Sequence, residues 1–177
     1  MLVSLTGLPG VGKTTIARQV AQQTGALWLW IDAIETAMRG SHMRVDDMAD
    51  GGYAAAQAVA RTALLQGYDV IADCVNADAR CRAAWRDTSQ QANAQHLDGW
   101  VSCSDAAEHR HRVETRGVDL AGWVRPDWQA VTARDFEPPD DAAMHIDTAQ
   151  VSARAASERI GAALHRIRQE RERVRDT

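Results

Sequence analysis

One short segment of the chain combines glycines, a lysine and hydroxyls at a spacing that can hold phosphate groups. Residues 7–14 fit the pattern GxxxxGK[ST] in full. Glycines let backbone N–H groups turn inward around phosphate oxygens, and the N-terminus of a following helix adds a favourable dipole. Lys13 can place a compact charge between the β- and γ-phosphates, while the Thr14 hydroxyl can ligate Mg²⁺. The residues that we assign to phosphate binding are Gly7, Leu8, Pro9, Gly10, Val11, Gly12, Lys13, Thr14 and Thr15.

Two aspartates stand where apolar runs end. Asp32 follows the run 26–31, and Asp73 closes the run 69–73. The carboxyl ends of parallel strands share one edge of a sheet, where a phosphate loop also lies. A carboxylate at Asp32 can orient or deprotonate an acceptor hydroxyl, and one at Asp73 can approach Mg²⁺ directly or through water. The alternatives are a helix cap at Asp32 and a plain turn residue at Asp73.

Two arginines can supply mobile positive charge. Arg112 and Arg116 are four residues apart on a predicted helix, so that their side chains share one face. Such a pair can contact the adenine and the γ-phosphate when a lid closes, and it can neutralise charge that develops during transfer. The alternative is a solvated basic helix face. The six histidines have no metal-ligand spacing, and we interpret them as surface or packing residues.

The elements that must position these residues alternate along the chain. Short apolar runs are separated by helical patterns, which predicts βα units and a mostly parallel sheet in an α/β fold. The predicted strands are residues 2–6, 26–31, 69–73, 97–103 and 143–146. The predicted helices run from the phosphate loop to Gly25, from Tyr53 to a cap at Gly67, over 79–94, and from an N-cap at Ser104 through Arg116. The helix from Tyr53 presents one apolar face, formed by Ala56, Val59, Ala60, Ala63 and Leu64. A last helix ends the chain, with an apolar stripe at Ile160, Ala163, Leu164 and Ile167.

One segment lacks a clean period. Residues 117–139 contain tryptophans, glycines and prolines, with a short helix expected after Pro126. We interpret this segment as a lid inside a single domain that covers residues 1–177, because 177 residues at 19.4 kDa fit one domain.

The composition narrows the class of nucleotide-binding protein. Of the 20 basic side chains only Lys13 is a lysine, so the guanine-reading NKxD motif is absent from the sequence. Asp73 is followed by Cys-Val-Asn, which supplies neither the DxxG switch of GTPases nor the second acid of ring-forming ATPases. A small kinase remains. Arginine cannot replace a compact ammonium between two phosphates, which explains why this one lysine is kept.

Charge and cysteine usage point to a cellular setting. The net charge of −4 and the pI near 5.8 argue against a surface built for nucleic acid as a whole. The three cysteines form no CxxC pair and suit reduced thiols. No basic leader precedes residue 2, and the apolar run 26–31 is too short to span a bilayer. We therefore expect a cytoplasmic protein with no membrane partner.

Taken together, these residues resemble a known family. The phosphate loop, Asp32 after an apolar strand, the run Val-Ile-Ala-Asp at 70–73 and the arginine pair resemble the small P-loop kinases that are often labelled AAA-family ATP-binding proteins. Similar members are chloramphenicol phosphotransferase, polynucleotide 5′-kinase, gluconate kinase, adenylylsulfate kinase and the zeta toxins. Further stretches that look like one bacterial subgroup are 116–119, 126–128, 134–138 and 146–148.

The resemblance implies a P-loop NTPase fold with a five-stranded, mostly parallel sheet flanked by helices and a helical lid. It implies an ATP- and Mg²⁺-dependent phosphotransferase that acts on a hydroxyl of a small molecule, with Lys13, Asp32 and Arg116 as catalytic residues. The alternatives are a polynucleotide or nucleoside 5′-hydroxyl kinase and a nucleotide-binding regulatory module without an acceptor. Polynucleotide kinases often carry basic residues beside the aspartate, where this chain has Ile and Ala. Arg39, Arg44, Asn76 and Arg80 are candidates for the acceptor pocket or, equally, for the surface.

Overall fold

A five-stranded parallel sheet forms the centre of the molecule. The computed structural model describes residues 1–42, 47–117 and 120–175. The strands are β1 (Leu2–Thr6), β2 (Leu27–Trp30), β3 (Val70–Asp73), β4 (His96–Ser102) and β5 (Met144–Asp147), in the order β2-β3-β1-β4-β5. The helices of the described residues are α1 (Lys13–Thr24), α2 (Ile31–Arg39), α3 (Gly51–Leu65), α4 (Ala79–Gln91), α5 (Ala106–Thr115), α6 (Trp128–Thr132) and α7 (Ala153–Arg175).

Helices cover both faces of this sheet. Alternate residues of β1 point to opposite faces, so Val3 packs with α1 and α7, whereas Leu2 packs with α3 and α4. All five residues of β1 are buried, as is typical of a central parallel strand. Because every pairing is parallel, the carboxyl ends of the five strands lie at one edge. The predicted fold class is confirmed.

Three local predictions differ from the structure. The apolar helical face predicted in α3 included Val59, which is half-exposed because it points away from the sheet. The N-cap of α5 is Asp105, not Ser104: the Asp105 carboxylate accepts hydrogen bonds from the Ala107 and Glu108 amides, while the Ser104 amide donates to Asp147. The helix after β2 begins one residue before Asp32 and is preceded by Trp30, so Asp32 lies in its first turn and does not cap it.

The segment 117–139 is irregular apart from α6, whose first turn is capped by the Asp127 carboxylate. This confirms the short helix predicted after Pro126. The far end of the segment is fixed to the start of α4. Glu137 donates its amide to the Ala77 carbonyl, and the buried Arg82 guanidinium donates to the Glu137 carbonyl at 2.9 Å and to its carboxylate at 3.1 Å. Movement of this segment as a lid stays a prediction.

Two smaller expectations concern thiols and membranes. Cys74, Cys81 and Cys103 are all free. Across the described stretches of the chain, no helix combines the length and the apolar character that a membrane span requires.

Candidate active site

The phosphate loop connects β1 to α1 and is shaped by glycines. Gly10 has φ +87°, and a Cβ atom there would lie 2.5 Å from Cγ2 of Val113. Gly12, with φ +102°, precedes α1, whose first turn receives no side-chain cap. The first amides of a helix have no partner within the helix, so in α1 they are left to bind an anion.

Lys13 is the buried cation of the site. Its side chain is 7% exposed, and its ammonium donates to the Leu8 carbonyl at 2.9 Å. Burial lowers the pKa of Lys13, and the neighbouring carboxylates of Asp73 and Asp32 act in the opposite direction. These effects require that both aspartates lie within electrostatic reach of one ammonium. The structure therefore brings together the two carboxylates that the sequence assigned to chemistry.

Asp73 ends β3 next to the central strand β1 and is 3% exposed. Burial raises the pKa of Asp73, while the Lys13 charge and a hydrogen bond from the Thr14 hydroxyl lower it. Its Oδ2 atom is buried and has no hydrogen-bond partner among the described residues. An orphaned carboxylate oxygen beside a hydroxyl is a donor pair of the hard oxygen type that Mg²⁺ prefers. The residues present thus fit the ion that the phosphate loop implies.

Asp32 lines a cleft of about 570 Å³ that opens at the phosphate loop. The cleft runs from the loop along one face of α2 and under the segment around Trp123. It is lined by the phosphate-loop residues Pro9, Gly10, Gly12, Lys13, Thr14 and Thr15, by Arg18, Ile31, Asp32, Glu35 and Arg39, by Tyr53 and residues 73–75, and by Arg112, Thr115, Arg116, Gly117, residues 123–126 and Arg134.

Arg112 lies on α5 and Arg116 just beyond its end, so the two do not share one helix face as predicted. Arg112 donates to the Glu108 carboxylate at 2.8 Å and to the Thr148 hydroxyl at 2.8 Å, so its guanidinium is fixed to the turn after β5. Arg116 lies just beyond α5, with its guanidinium 4.8 Å from the centre of the Trp123 ring. The Arg116 charge also lowers the pKa of Lys13. Both arginines line the cleft.

The four acceptor-pocket candidates separate clearly. Arg39 lines the cleft, and Arg44 lies outside the described residues. Asn76 does not line it: with φ +50° its side chain turns inward, donates to the Thr6 hydroxyl at 2.9 Å and accepts from the Trp85 indole at 3.1 Å. Arg80 is 91% exposed and pairs with the helix-capping Asp78, away from the cleft.

Glu35, Arg134 and His109 are among the residues of the site that the sequence did not indicate. Glu35 and Arg134 line the cleft, and Glu35 could have been found because it follows Asp32 by three positions on one helix face. His109 is buried, as a packing histidine should be, but its Nε2 also lies 2.8 Å from the Pro9 carbonyl of the phosphate loop. The ring meets Trp128 of α6 edge-on. No sequence signal connects His109 to the loop, because the contact depends on how α5 packs.

The fold and the site together define a class of protein. A parallel sheet in this order, a phosphate loop between β1 and α1 and a buried acid at the end of β3 are the features of a kinase-like P-loop NTPase. The chain matches the family AAA_33, described as an AAA domain, over residues 2–174, and it belongs to this family. A comparison with curated proteins gave no match.

Solved structures with this fold include kinases. A candidate kinase from Chloroflexus aurantiacus J-10-fl has a TM-score of 0.70 at 18% identity, over 93% of this chain and 95% of that one. The APS kinase CysC of Mycobacterium tuberculosis, in complex with AMPPNP and APS, has a TM-score of 0.63 at 18% identity, over 90% and 94%. A gluconokinase from Sinorhizobium meliloti 1021 has a TM-score of 0.59 at 16% identity, over 92% and 94%. At this identity the likeness concerns the fold.

Proposed function

We propose that the protein is an ATP- and Mg²⁺-dependent phosphotransferase that moves the γ-phosphoryl group of ATP to a hydroxyl of a small molecule. The observation that carries the proposal is the position of Asp32, which lines the same cleft as the phosphate loop and acts on the pKa of the buried Lys13, raising it against the effect of burial. A carboxylate in the same cleft can serve a hydroxyl that approaches the γ-phosphate. The fold shared with APS kinase and gluconokinase supports this reaction class.

The phosphate loop and the two aspartates of the cleft have distinct roles in this reaction. Lys13 and the loop amides bind the phosphates, and Thr14 with Asp73 would hold Mg²⁺, which when bound neutralises charge on the phosphate oxygens. Asp32 orients the acceptor hydroxyl and takes its proton as the new oxygen–phosphorus bond forms and the bond to the β-phosphate oxygen breaks. ADP leaves with the electron pair of that bond.

The arginines complete the charge balance. Arg116, which lines the cleft beside Trp123, stabilises charge that develops on the oxygens of the transferring group, and Arg112 contributes to nucleotide binding from its fixed position beside Thr148. Positioning and charge neutralisation supply most of the rate in such a mechanism.

The test uses ATP and a panel of hydroxyl-bearing metabolites, antibiotics and oligonucleotides, read by the mass gain of one phosphoryl group. With the acceptor so found, we expect Asp32→Asn to lower kcat by roughly 100- to 10,000-fold and to leave the Kd for ATP nearly unchanged. Asp87→Asn, an exposed change on α4, is the matched control. Full transfer by Asp32→Asn would refute the role of Asp32.

Two other outcomes would point to the alternative functions. Labelling of an oligonucleotide 5′ end in preference to every small acceptor would assign a polynucleotide kinase. Tight ATP binding without transfer to any acceptor would assign a regulatory nucleotide-binding module.

A further inference from the structure

The cleft has a charge opposite to that of the chain. Among the residues that the structure describes, seven basic side chains line it, against three acidic ones, which is an excess of four positive charges in a protein of net charge −4. The basic residues are Lys13, Arg18, Arg39, Arg112, Arg116, Arg125 and Arg134, and the acidic residues are Asp32, Glu35 and Asp73.

ATP with its metal does not balance this excess. The complex of ATP with Mg²⁺ carries about two negative charges, because the ion cancels half of the charge on the polyphosphate. The Glu108 carboxylate, which lies outside the lining, neutralises Arg112. At least one positive charge is then still unmatched when the nucleotide is bound. Like charges gathered in one cleft repel each other, so a further anion is favoured there.

The unmatched charge lies toward the acceptor end of the cleft. Asp32, Glu35 and Arg39 occupy successive turns of α2, leading away from the phosphate loop. Arg134, which follows α6 in the chain, lines the same cleft as Glu35 and Arg39. Burial raises the pKa of Glu35 and the Arg134 charge lowers it, which is consistent with the two side chains facing each other across the cleft. Within the described residues Arg134 has no ion-pair partner.

Arg39 is only weakly engaged. Its guanidinium is 50% exposed and meets Glu35 through one contact at 3.4 Å, which leaves most of its N–H donors available. The Glu35 side chain packs directly against the backbone of Gly52. There is no room for a side chain at Gly52, since a Cβ atom there would lie 2.8 Å from the Glu35 Oε1 atom. Glu35 thus lies between the Gly52 backbone and Arg39, and Arg39 keeps free donors toward the cleft.

Resting on the proposed function, we infer that the acceptor is an anionic alcohol: its hydroxyl reaches Asp32, and its carboxylate, sulfate or phosphate group is held by Arg39 and Arg134. Guanidinium groups match the geometry of such oxyanions and bind them through paired, charge-assisted hydrogen bonds. A neutral acceptor would leave Arg134 without a counter-charge in the loaded cleft, and Arg39 with only its single 3.4 Å contact to Glu35.

The test of the anion site does not require turnover. The protein is saturated with Mg²⁺ and a non-hydrolysable ATP analogue, which fills the phosphate loop, and is then titrated with inorganic sulfate at constant ionic strength set by chloride. We expect one saturable sulfate site, weakened about 10-fold or more in Arg134→Gln and restored in part by Arg134→Lys. Arg159→Gln, an exposed change on α7, should bind sulfate like the wild type. Absence of a saturable site, or equal binding by Arg134→Gln, would overturn the inference.

A second arm compares acceptors as matched pairs, each acid against its neutral amide or each phosphate ester against its free alcohol. We expect at least 10-fold higher kcat/KM for the anionic member, and a rise of about 10-fold in its KM in Arg134→Gln with the KM for ATP unchanged. The better member of each pair identifies the oxyanion. Equal use of neutral acceptors refutes the anionic acceptor but not the kinase. Sulfate binding without phosphorylation of any acceptor refutes the kinase but not the anion site.

Discussion

The two ends of the cleft are built in different ways. The inner half consists of the phosphate loop, Lys13 and Asp73, in which the lysine is 7% and the aspartate 3% exposed. The outer half consists of Glu35, Arg39 and Arg134, and its Arg39 side chain is 50% exposed. One continuous turn and a neighbouring strand end make the inner half, whereas two segments distant in sequence make the outer half. The inner half should tolerate far less change than the outer.

The largest expected difference comes from exchanging the two basic residue types. We expect Lys13→Arg to lower kcat/KM for ATP by roughly 100- to 1,000-fold, since a planar guanidinium cannot replace a buried ammonium that donates to the Leu8 carbonyl. The reverse exchange in the outer half, Arg39→Lys, should cost about 10-fold or less, because the exposed side chain keeps its charge. Steady-state kinetics of the purified variants measure both effects.

Equal losses in the two exchanges would contradict the contrast between the halves. Circular dichroism and thermal unfolding of each variant provide the control, since a misfolded Lys13→Arg would lose activity for an unrelated reason.

A second pair of substitutions compares glycines with left-handed backbone. Gly10 lies in the phosphate loop and Gly122 in the irregular segment 117–139, and their φ angles are +87° and +80°. Alanine is therefore strained at either position, by about 1–2 kcal/mol. At Gly10 the new methyl group would also lie 2.5 Å from Val113, whereas at Gly122 the nearest atom is 3.7 Å away, on Thr36. Overpacking adds about 1–3 kcal/mol. Gly10→Ala should therefore lower the free energy of unfolding by more than Gly122→Ala does, as measured by urea denaturation.

A titration of each variant with ATP separates the two glycines by function. Gly10→Ala should weaken ATP binding, because the loop must shift to admit the methyl group. If Gly122→Ala weakened ATP binding equally, the segment 117–139 would be part of the nucleotide site.

The contrast also explains what the sequence could predict. The phosphate loop and the strand-end aspartates follow from local patterns, because each depends on a turn, a strand and the shared edge of a parallel sheet. Asn76 and Arg80 have suitable residue types near that edge, but the direction of the backbone decides where their side chains point. The Asn76 side chain turns inward to the Thr6 hydroxyl, whereas Arg80 points into solvent and pairs with Asp78. The position of Arg134 depends on how the segment beyond α5 returns across α2. No spacing encodes that packing.

The smallest expected effect tests whether the outer half is built for binding rather than for stability. Burial raises the pKa of Glu35, so its ionised form is less favourable in the folded than in the unfolded protein. For a carboxyl with a raised folded pKa, stability is fully present below the unfolded pKa, near 4.5, and is lost as pH rises through the folded pKa. Glu35→Gln removes this loss.

We therefore expect Glu35→Gln to unfold with a free energy that exceeds the wild-type value by less than about 1 kcal/mol at pH 7, with the difference shrinking as pH falls toward 4.5. Urea denaturation at several pH values measures it, and Glu114→Gln, at an exposed ion pair on α5, is the control. A variant that is less stable at pH 7 would mean that the contact with Arg39 outweighs burial. A more stable variant with a raised acceptor KM would mean that the chain keeps a costly carboxylate because it positions Arg39 for the substrate.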